Sequence, residues 1–220
     1  MKGIFYGIGI GPGDPEHITL KAVRMMKEVD VIAAPGTDVK ETLAYRIAVQ
    51  AVPEIEQKEM LPIDMPMTLD KEILVKAHKH GAETIEKVLA KGKNVGFITL
   101  GDTTVYSTFS YLEKIVKNHG FETVYISGIT SFCAAAASLG IPLTEWQEPL
   151  HVIPAVHQLG YKLDLDGSYV LMKSGRQMPK VKEILKASGR KVNMVENCGL
   201  PNENKYYSVE EIPDGAGYFS

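Results

Sequence analysis

Two stretches of the chain carry residue types that could hold a small ligand. The first, "GIFYGIGIGPGDPEH", sets Gly3, Gly7, Gly9, Gly11 and Gly13 at alternate or near-alternate positions ahead of Asp14 and Pro15. The second, "FITLGDTTVYSTF", sets Gly101 and Asp102 after an apolar run. Glycines that follow a strand let the backbone approach a ligand closely or turn with positive φ. They serve equally in a tight strand-to-helix connection that binds nothing. A dinucleotide would require G-x-G-x-x-G. Frames opened at Gly7, Gly9 and Gly11 end on Pro12, Asp14 and Glu16, so none fits. Asp14 and Pro15 read as N-cap and first helical residue, and that carboxylate would take the N–H groups a pyrophosphate needs. No Walker lysine follows. The loop is unsuited to NAD or ATP phosphates.

Other reactive residues are sparser. Lys173 and Arg176 flank Gly175 behind an apolar run, a spacing suited to clamping a carboxylate and equally to solvated surface charge. Cys133 and Cys198 are far apart, which argues against a disulfide framework or a zinc site. His78 and His80 are two apart on a predicted helix and do not face each other. No metal is expected.

The elements that must position these residues alternate along the chain. Strands are predicted at "GIFYGIGI", "DVIAAP", "KEMLPID", "NVGFITL" and "FETVYIS". Helices are predicted at "PEHITLKAVRMMKEV", "KETLAYRIAVQAV", "LDKEILVKAHKHGAETIEKVLAKG" and "TVYSTFSYLEKIVKNHG". This order implies an α/β domain over 1–127, with a mostly parallel sheet and helices on both faces. From 128 to 220 a second α/β domain with a mixed sheet is expected. It comprises a small-residue helix "ITSFCAAAASLG", strands "LHVIPAV" and "GSYVLMK", a helix "PKVKEILKASG", and strands "RKVNMVEN", "KYYSVEEI" and "AGYFS". The C-terminal edge of the first sheet, where both glycine loops fall, is where open parallel sheets bind ligands.

Composition narrows the class. The chain has 220 residues, 45% hydrophobic, with a formal net charge of −3. That balance gives no general nucleic-acid surface, and no apolar stretch reaches the length of a membrane span. No signal peptide is read at the N-terminus, so a cytoplasmic protein is expected.

Taken together the motifs resemble the tetrapyrrole methylase family. The resemblance is carried by "GIGIGPGDPEHITLKAVRMMKEVDVIAAPG", "LGDTTVYSTF", "SGITSFCAAAASLGIPL", "VLMKSGRQMPKV" and "VENCGLPNE", in family order over nearly the whole chain. "MPMT", "GDTTVYSTFSYL", "MKSGR" and "GYFS" resemble the branch that methylates C20 of precorrin-2 or its cobalt form in cobalamin synthesis. The resemblance implies S-adenosyl-L-methionine as cofactor, S-adenosyl-L-homocysteine as product, an active site in a cleft between two domains, and a homodimer. It places cofactor contacts at Pro12, Leu100, Gly101, Asp102, Thr103, Val105, Tyr106, Thr130, Ser131, Met172 and Cys198. It places the tetrapyrrole beside Gly11, Gly13 and Asp14, with Lys173 and Arg176 as partners for its carboxylates. A phosphate-free, cationic donor suits a loop whose aspartate caps its own helix. Asp102, Tyr106, His17 and Glu196 are candidates to remove a proton, and the sequence does not choose among them. Thr103 and Ser127 stand where the family usually has proline, and His17 where an apolar residue is common. Relatives run on past the position of Ser220 into a further strand, which implies a shortened tail here. Uroporphyrinogen-III methylation, or a binding module without chemistry, are the alternatives.

Overall fold

The computed structural model describes residues 1–66, 68, 70–154, 163–174 and 177–217. The chain divides into two units, Met1–Thr130 and Ser131–Ser220.

The first unit is built on five parallel strands: β1 (Ile4–Gly9), β2 (Val31–Pro35), β3 (Glu59–Ile63), β4 (Val95–Thr99) and β5 (Glu122–Ile126). Their order across the sheet is β3-β2-β4-β1-β5. Between them run α1 (Leu20–Glu28), α2 (Leu43–Ala51), α3 (Lys71–Leu89) and α4 (Phe109–Asn118). Connections from β1 to β2 and on to β3 step one way across the sheet, and those from β3 to β4 and on to β5 step the other. Right-handed crossovers therefore put α1 and α2 on one face and α3 and α4 on the opposite one. On the latter face Ala82, Ile85 and Leu89 of α3 and Phe109, Leu112 and Val116 of α4 bury Phe5, Val31, Ala33, Ile63, Val95 and Phe97. Pro62 is tolerated because β3 is an edge strand, paired only with β2.

Two helix boundaries differ from the sequence reading. Residues 15–29 do not form one helix. Pro15–His17 is a single 3-10 turn, Ile18 and Thr19 are extended, and α1 begins at Leu20 with the Thr19 hydroxyl accepting from Ala22 N–H at 3.2 Å. The Asp14 carboxylate caps only that short turn, accepting from Glu16 N–H at 2.8 Å. Residues 104–108 are loop, and α4 starts at Phe109 rather than at Thr104. Tyr106 at φ 49° cannot continue a right-handed helix.

The second unit holds α5 (Ser131–Leu139), the parallel pair β6 (Leu150–Pro154) and β7 (Ser168–Met172), α6 (Met178–Ser188), and the antiparallel pair β8 (Met194–Glu196) and β9 (Asn204–Tyr206). The strand expected over "KYYSVEEI" ends at Tyr206, because turns follow it. Residues 218–220 of "AGYFS" lie outside the described residues. Met178 and Val181 of α6 pack with Ile212 and Ala216. Among the described residues no helix is long and apolar enough to cross a membrane.

Candidate active site

β1 and β4 are neighbours whose following helices leave to opposite faces, which makes their C-terminal ends a topological switch point. Both glycine loops lie there, and they are stitched together. Gly101 N–H donates to Gly11 O at 2.8 Å, and Gly11 N–H donates to Gly101 O at 3.3 Å. The loop after β5 joins them. A Cβ on Gly128 would lie 2.2 Å from Gly101 O and 2.8 Å from Gly9 C. A Cβ on Gly9 would lie 2.6 Å from Gly128 N and 2.8 Å from Gly101 O. These glycines therefore answer a packing demand: three loops meet backbone to backbone, where no side chain fits.

Asp102 holds the junction. Its carboxylate accepts from Thr104 N–H at 2.7 Å, from the Thr104 hydroxyl, and from Gly128 N–H at 2.8 Å. The side chain is buried, with three donors on two oxygens, so a negative charge is accommodated there. Asp102 thus ties the β4 loop to the β5 loop, and its oxygens are committed to that task rather than offered to a substrate proton. Thr103 is fully buried and donates to Ile126 O at 3.2 Å. Its hydroxyl bonds the chain where the family's usual proline would have no donor. The neighbouring Gly11 and Gly13 are buried, while Pro12, Leu100 and Val105 are half-buried and Tyr106 is exposed. Thr130 presents a hydroxyl that is buried and has no hydrogen-bond partner, and Ser131 beside it opens α5.

In the second unit, Met172 ends β7 and Cys198 follows β8. Burial pushes the Cys198 thiol up to about 11, with the nearby Glu203 carboxylate adding to the effect. That thiol is packing, not a nucleophile. The turn that carries it is held by Glu203, which accepts from Gly199 N–H at 2.7 Å and from the Ser138 hydroxyl at 2.5 Å. Arg176 lies outside the described residues, and Lys173, the other residue expected to meet tetrapyrrole carboxylates, directly follows β7.

Among the described residues, four that are not glycine adopt positive φ: Tyr106 at 49°, Trp146 at 52°, Lys173 at 61° and Asn197 at 55°. Tyr106, Lys173 and Asn197 lie in the connections that follow β4, β7 and β8, and Trp146 lies between α5 and β6. Strained backbone of this kind gathers at functional loops. Sequence reasoning missed Asn197 and the role of Gly128. A small residue at the exit of β5, matching those at the exits of β1 and β4, was the signal available for Gly128.

Residues 5–213 match the family described as Tetrapyrrole (Corrin/Porphyrin) Methylases. The chain belongs to the tetrapyrrole methylase family. The methylase is 36% identical over 199 residues to a protein of Methanocaldococcus jannaschii named "Probable cobalt-precorrin-2 C(20)-methyltransferase", covering 90% of this chain and 84% of the relative. It is 31% identical to the precorrin-2 C(20)-methyltransferase of a Sinorhizobium species, covering 99% of this chain and 93% of the relative. It is also 31% identical to the cobalt-precorrin-2 C(20)-methyltransferase of Salmonella typhimurium, covering 97% and 92%. Among solved structures, the methylase shares its fold with a cobalamin synthesis related protein of Corynebacterium diphtheriae, at TM-score 0.75 and 18% identity over 96% of this chain and 88% of that one. It also shares it with the uroporphyrin-III C-methyl transferase of Thermus thermophilus complexed with S-adenyl homocysteine, at TM-score 0.66 and 23% identity over 95% and 90%.

Proposed function

We propose that this methylase transfers a methyl group from S-adenosylmethionine to C20 of precorrin-2 or of its cobalt form. The observation that carries the reading is the three-loop junction at the C-terminal edge of β1, β4 and β5, with the buried, unpartnered Thr130 hydroxyl near it in sequence. The substrate class follows the names of the relatives more than 30% identical over most of both chains.

The residues present fit the cofactor. Thr130 Oγ1 is a buried polar atom in need of a partner. The backbone groups of 100–103 are held in one arrangement by Asp102 and by the Gly11–Gly101 bridge. Neither needs a phosphate, and the N-terminus of α1 is closed by Thr19. When bound, S-adenosylmethionine supplies a methyl group on a sulfonium, already activated for transfer to carbon. The protein's task is then to hold donor and acceptor carbon in line at about 3–3.5 Å, with water excluded. A junction in which three loops brace one another suits that task, because an ångström of play is costly. Met172 and Cys198, and Gly13, Asp14 and Lys173 on the tetrapyrrole side, enter this reading from the resemblance. It also carries a homodimer and a cytoplasmic location.

The test is incubation with S-adenosylmethionine and precorrin-2, with and without cobalt, reading the mass gain and the carbon that receives it. One methyl at C20 is expected. A methyl at C2 or C7 would reassign the protein to the uroporphyrinogen enzymes, and a failure to bind S-adenosylmethionine would leave a binding module.

A further inference from the structure

We propose that the N-terminal turns of α3 form one wall of the tetrapyrrole site, with Lys71 pairing a carboxylate and Leu74 and Val75 lying against the macrocycle. The assignment rests on the methyl-transfer reading above. The junction loops offer an acidic ring no cationic side chain. Residues 10–19 behind β1, 100–108 behind β4 and 127–130 behind β5 hold no lysine or arginine. Behind β2 the loop holds Lys40, set between Asp38 and Glu41, and behind β3 the first cation is Lys71, which opens α3.

α3 overhangs the sheet. The strand register sets the last residues of β3 and β2 level, Ile63 with Pro35, and those of β4 and β1 level, Thr99 with Gly9. Ala33 pairs with Phe97, so all four strand ends fall on one line. A Cβ on Gly81 would lie 2.8 Å from Ile63 Cγ2, which sets Gly81 at that line. At the other end of α3, Leu89 O accepts from Gly3 N–H at 2.8 Å, just ahead of β1. Residues 71–80 therefore carry the helix about 15 Å further along its axis, past the strand ends. α4 has no such overhang: it begins at Phe109, whose ring a Cβ on Gly7, inside β1, would meet at 2.5 Å.

Helical period fixes which face of the overhang turns toward the site. Ala82, Ile85 and Leu89 pack against the sheet. Their stripe continues toward the N-terminus through Gly81, His78, Leu74 and Lys71, at steps of three or four residues. Past the strand ends the stripe has no strand beneath it and looks over the C-terminal edge, where parallel sheets bind ligands. Val75 borders it at 65% exposure, Leu74 is half-buried, and His78 is stacked on Tyr111 with centroids 4.8 Å apart. A flat ring with carboxylates on its rim complements a stripe that is apolar at Leu74 and Val75 and cationic at Lys71. β3 stands two strands from β4, about 10 Å away, so the wall lies at the reach of a large ring and not of the transferred methyl. Met65 and Thr68 of "MPMT" set its base. A Cβ on Gly81 would lie 2.9 Å from Met65 Cε, and the Thr68 hydroxyl accepts from Asp70 N–H at 3.1 Å. Asp70 closes the helix, accepting from Glu72 and Ile73 N–H at 2.9 and 3.3 Å, so the positive group offered is the Lys71 ammonium.

The experiment measures the dissociation constant of precorrin-2, kept from oxygen, with S-adenosylhomocysteine bound in place of the donor, so that no turnover intervenes. Lys71→Glu sets like charges together and should weaken precorrin-2 binding at least about tenfold. Val75→Asp should also weaken it, by setting a carboxylate against the ring. Lys76→Glu makes the same charge change on the opposite face of α3 and should leave binding within about twofold, since the helix width is about a Debye length. All three side chains are exposed, so the variants should fold, and their affinity for S-adenosylhomocysteine should be unchanged. Precorrin-2 binding by Lys71→Glu equal to that of wild type would overturn the assignment, as would an equal loss in Lys76→Glu. So would a change from dimer to monomer on sedimentation in Lys71→Glu and Val75→Asp, which would put a second copy of the chain on this face. Wild-type protein that binds S-adenosylmethionine but neither binds nor methylates precorrin-2 would instead defeat the underlying reading, and the wall with it.

Discussion

At the scale of single residues, space and backbone conformation separate two kinds of glycine. Gly128 needs no positive φ, but a methyl group there would drive into Gly101 O and Gly9. Gly120, at φ 79°, has nothing within 4 Å of the position its Cβ would take. Gly120→Ala should therefore cost only about 1–2 kcal/mol, the price of a left-handed residue, and leave cofactor binding unchanged. Gly128→Ala cannot be absorbed locally, because the atoms it would meet are backbone atoms of Gly101 and Gly9. It should cost about 1–3 kcal/mol by overpacking and weaken S-adenosylhomocysteine binding by at least about tenfold, since about 1.4 kcal/mol at the site suffices for that. Thermal melts and calorimetry on the two variants check this. Equal binding by both would show that the junction does not shape the cofactor site.

At the scale of elements, Arg190 clamps residues 163–167, the described part of the connection into β7. Arg190, just beyond α6, donates to three carbonyls: Leu163 O at 3.0 Å, Gly167 O at 2.8 Å and Leu165 O at 2.5 Å. Its guanidinium also lies over the Tyr169 ring, 4.7 Å from the centroid. Tyr169 in turn accepts from Leu165 N–H at 3.0 Å. The planar fork matches this set of acceptors, and an ammonium does not. Arg190→Ala should speed amide exchange over residues 163–169 while leaving the β1–β5 sheet protected. Arg190→Lys should restore little of that protection. Exchange measured by mass spectrometry decides it: protection over 163–169 unchanged in Arg190→Ala would remove the clamp.

At the scale of the whole molecule, the two units have separate cores and need not respond alike to acid. Glu203 lies in the second unit. Burial raises its pKa, but the bonds from Gly199 N–H, the Ser138 hydroxyl and Lys205 together outweigh that, and the net effect is a lowering. A carboxyl lowered on folding stabilises fully above its unfolded value, about 4.3. That stabilisation is lost as pH falls through the folded value. Between those two values the β8–β9 unit should loosen with falling pH. Glu203→Gln should remove this part of the pH dependence and lower stability at neutral pH. Exchange over residues 197–206 between pH 6 and 3 is the measurement, and an identical pH profile in the variant would contradict the assignment.

The sequence by itself determined the alternation of strands and helices, the parallel sheet and the family, because these depend on local periodicity and on motifs in order. The two glycine loops were legible as a candidate site for the same reason: glycine and aspartate behind an apolar run is a local signal. Tertiary structure decided what those residues do. The meeting of Gly9, Gly11, Gly101 and Gly128, and the third donor on Asp102, join residues as much as 119 positions apart (9 to 128). No spacing rule reports a contact between chain segments that distant. The break at Ile18 and Thr19 and the late start of α4 also escaped the sequence. There, helical propensity lost to a threonine cap in one case and to a loop bound down by Asp102 in the other.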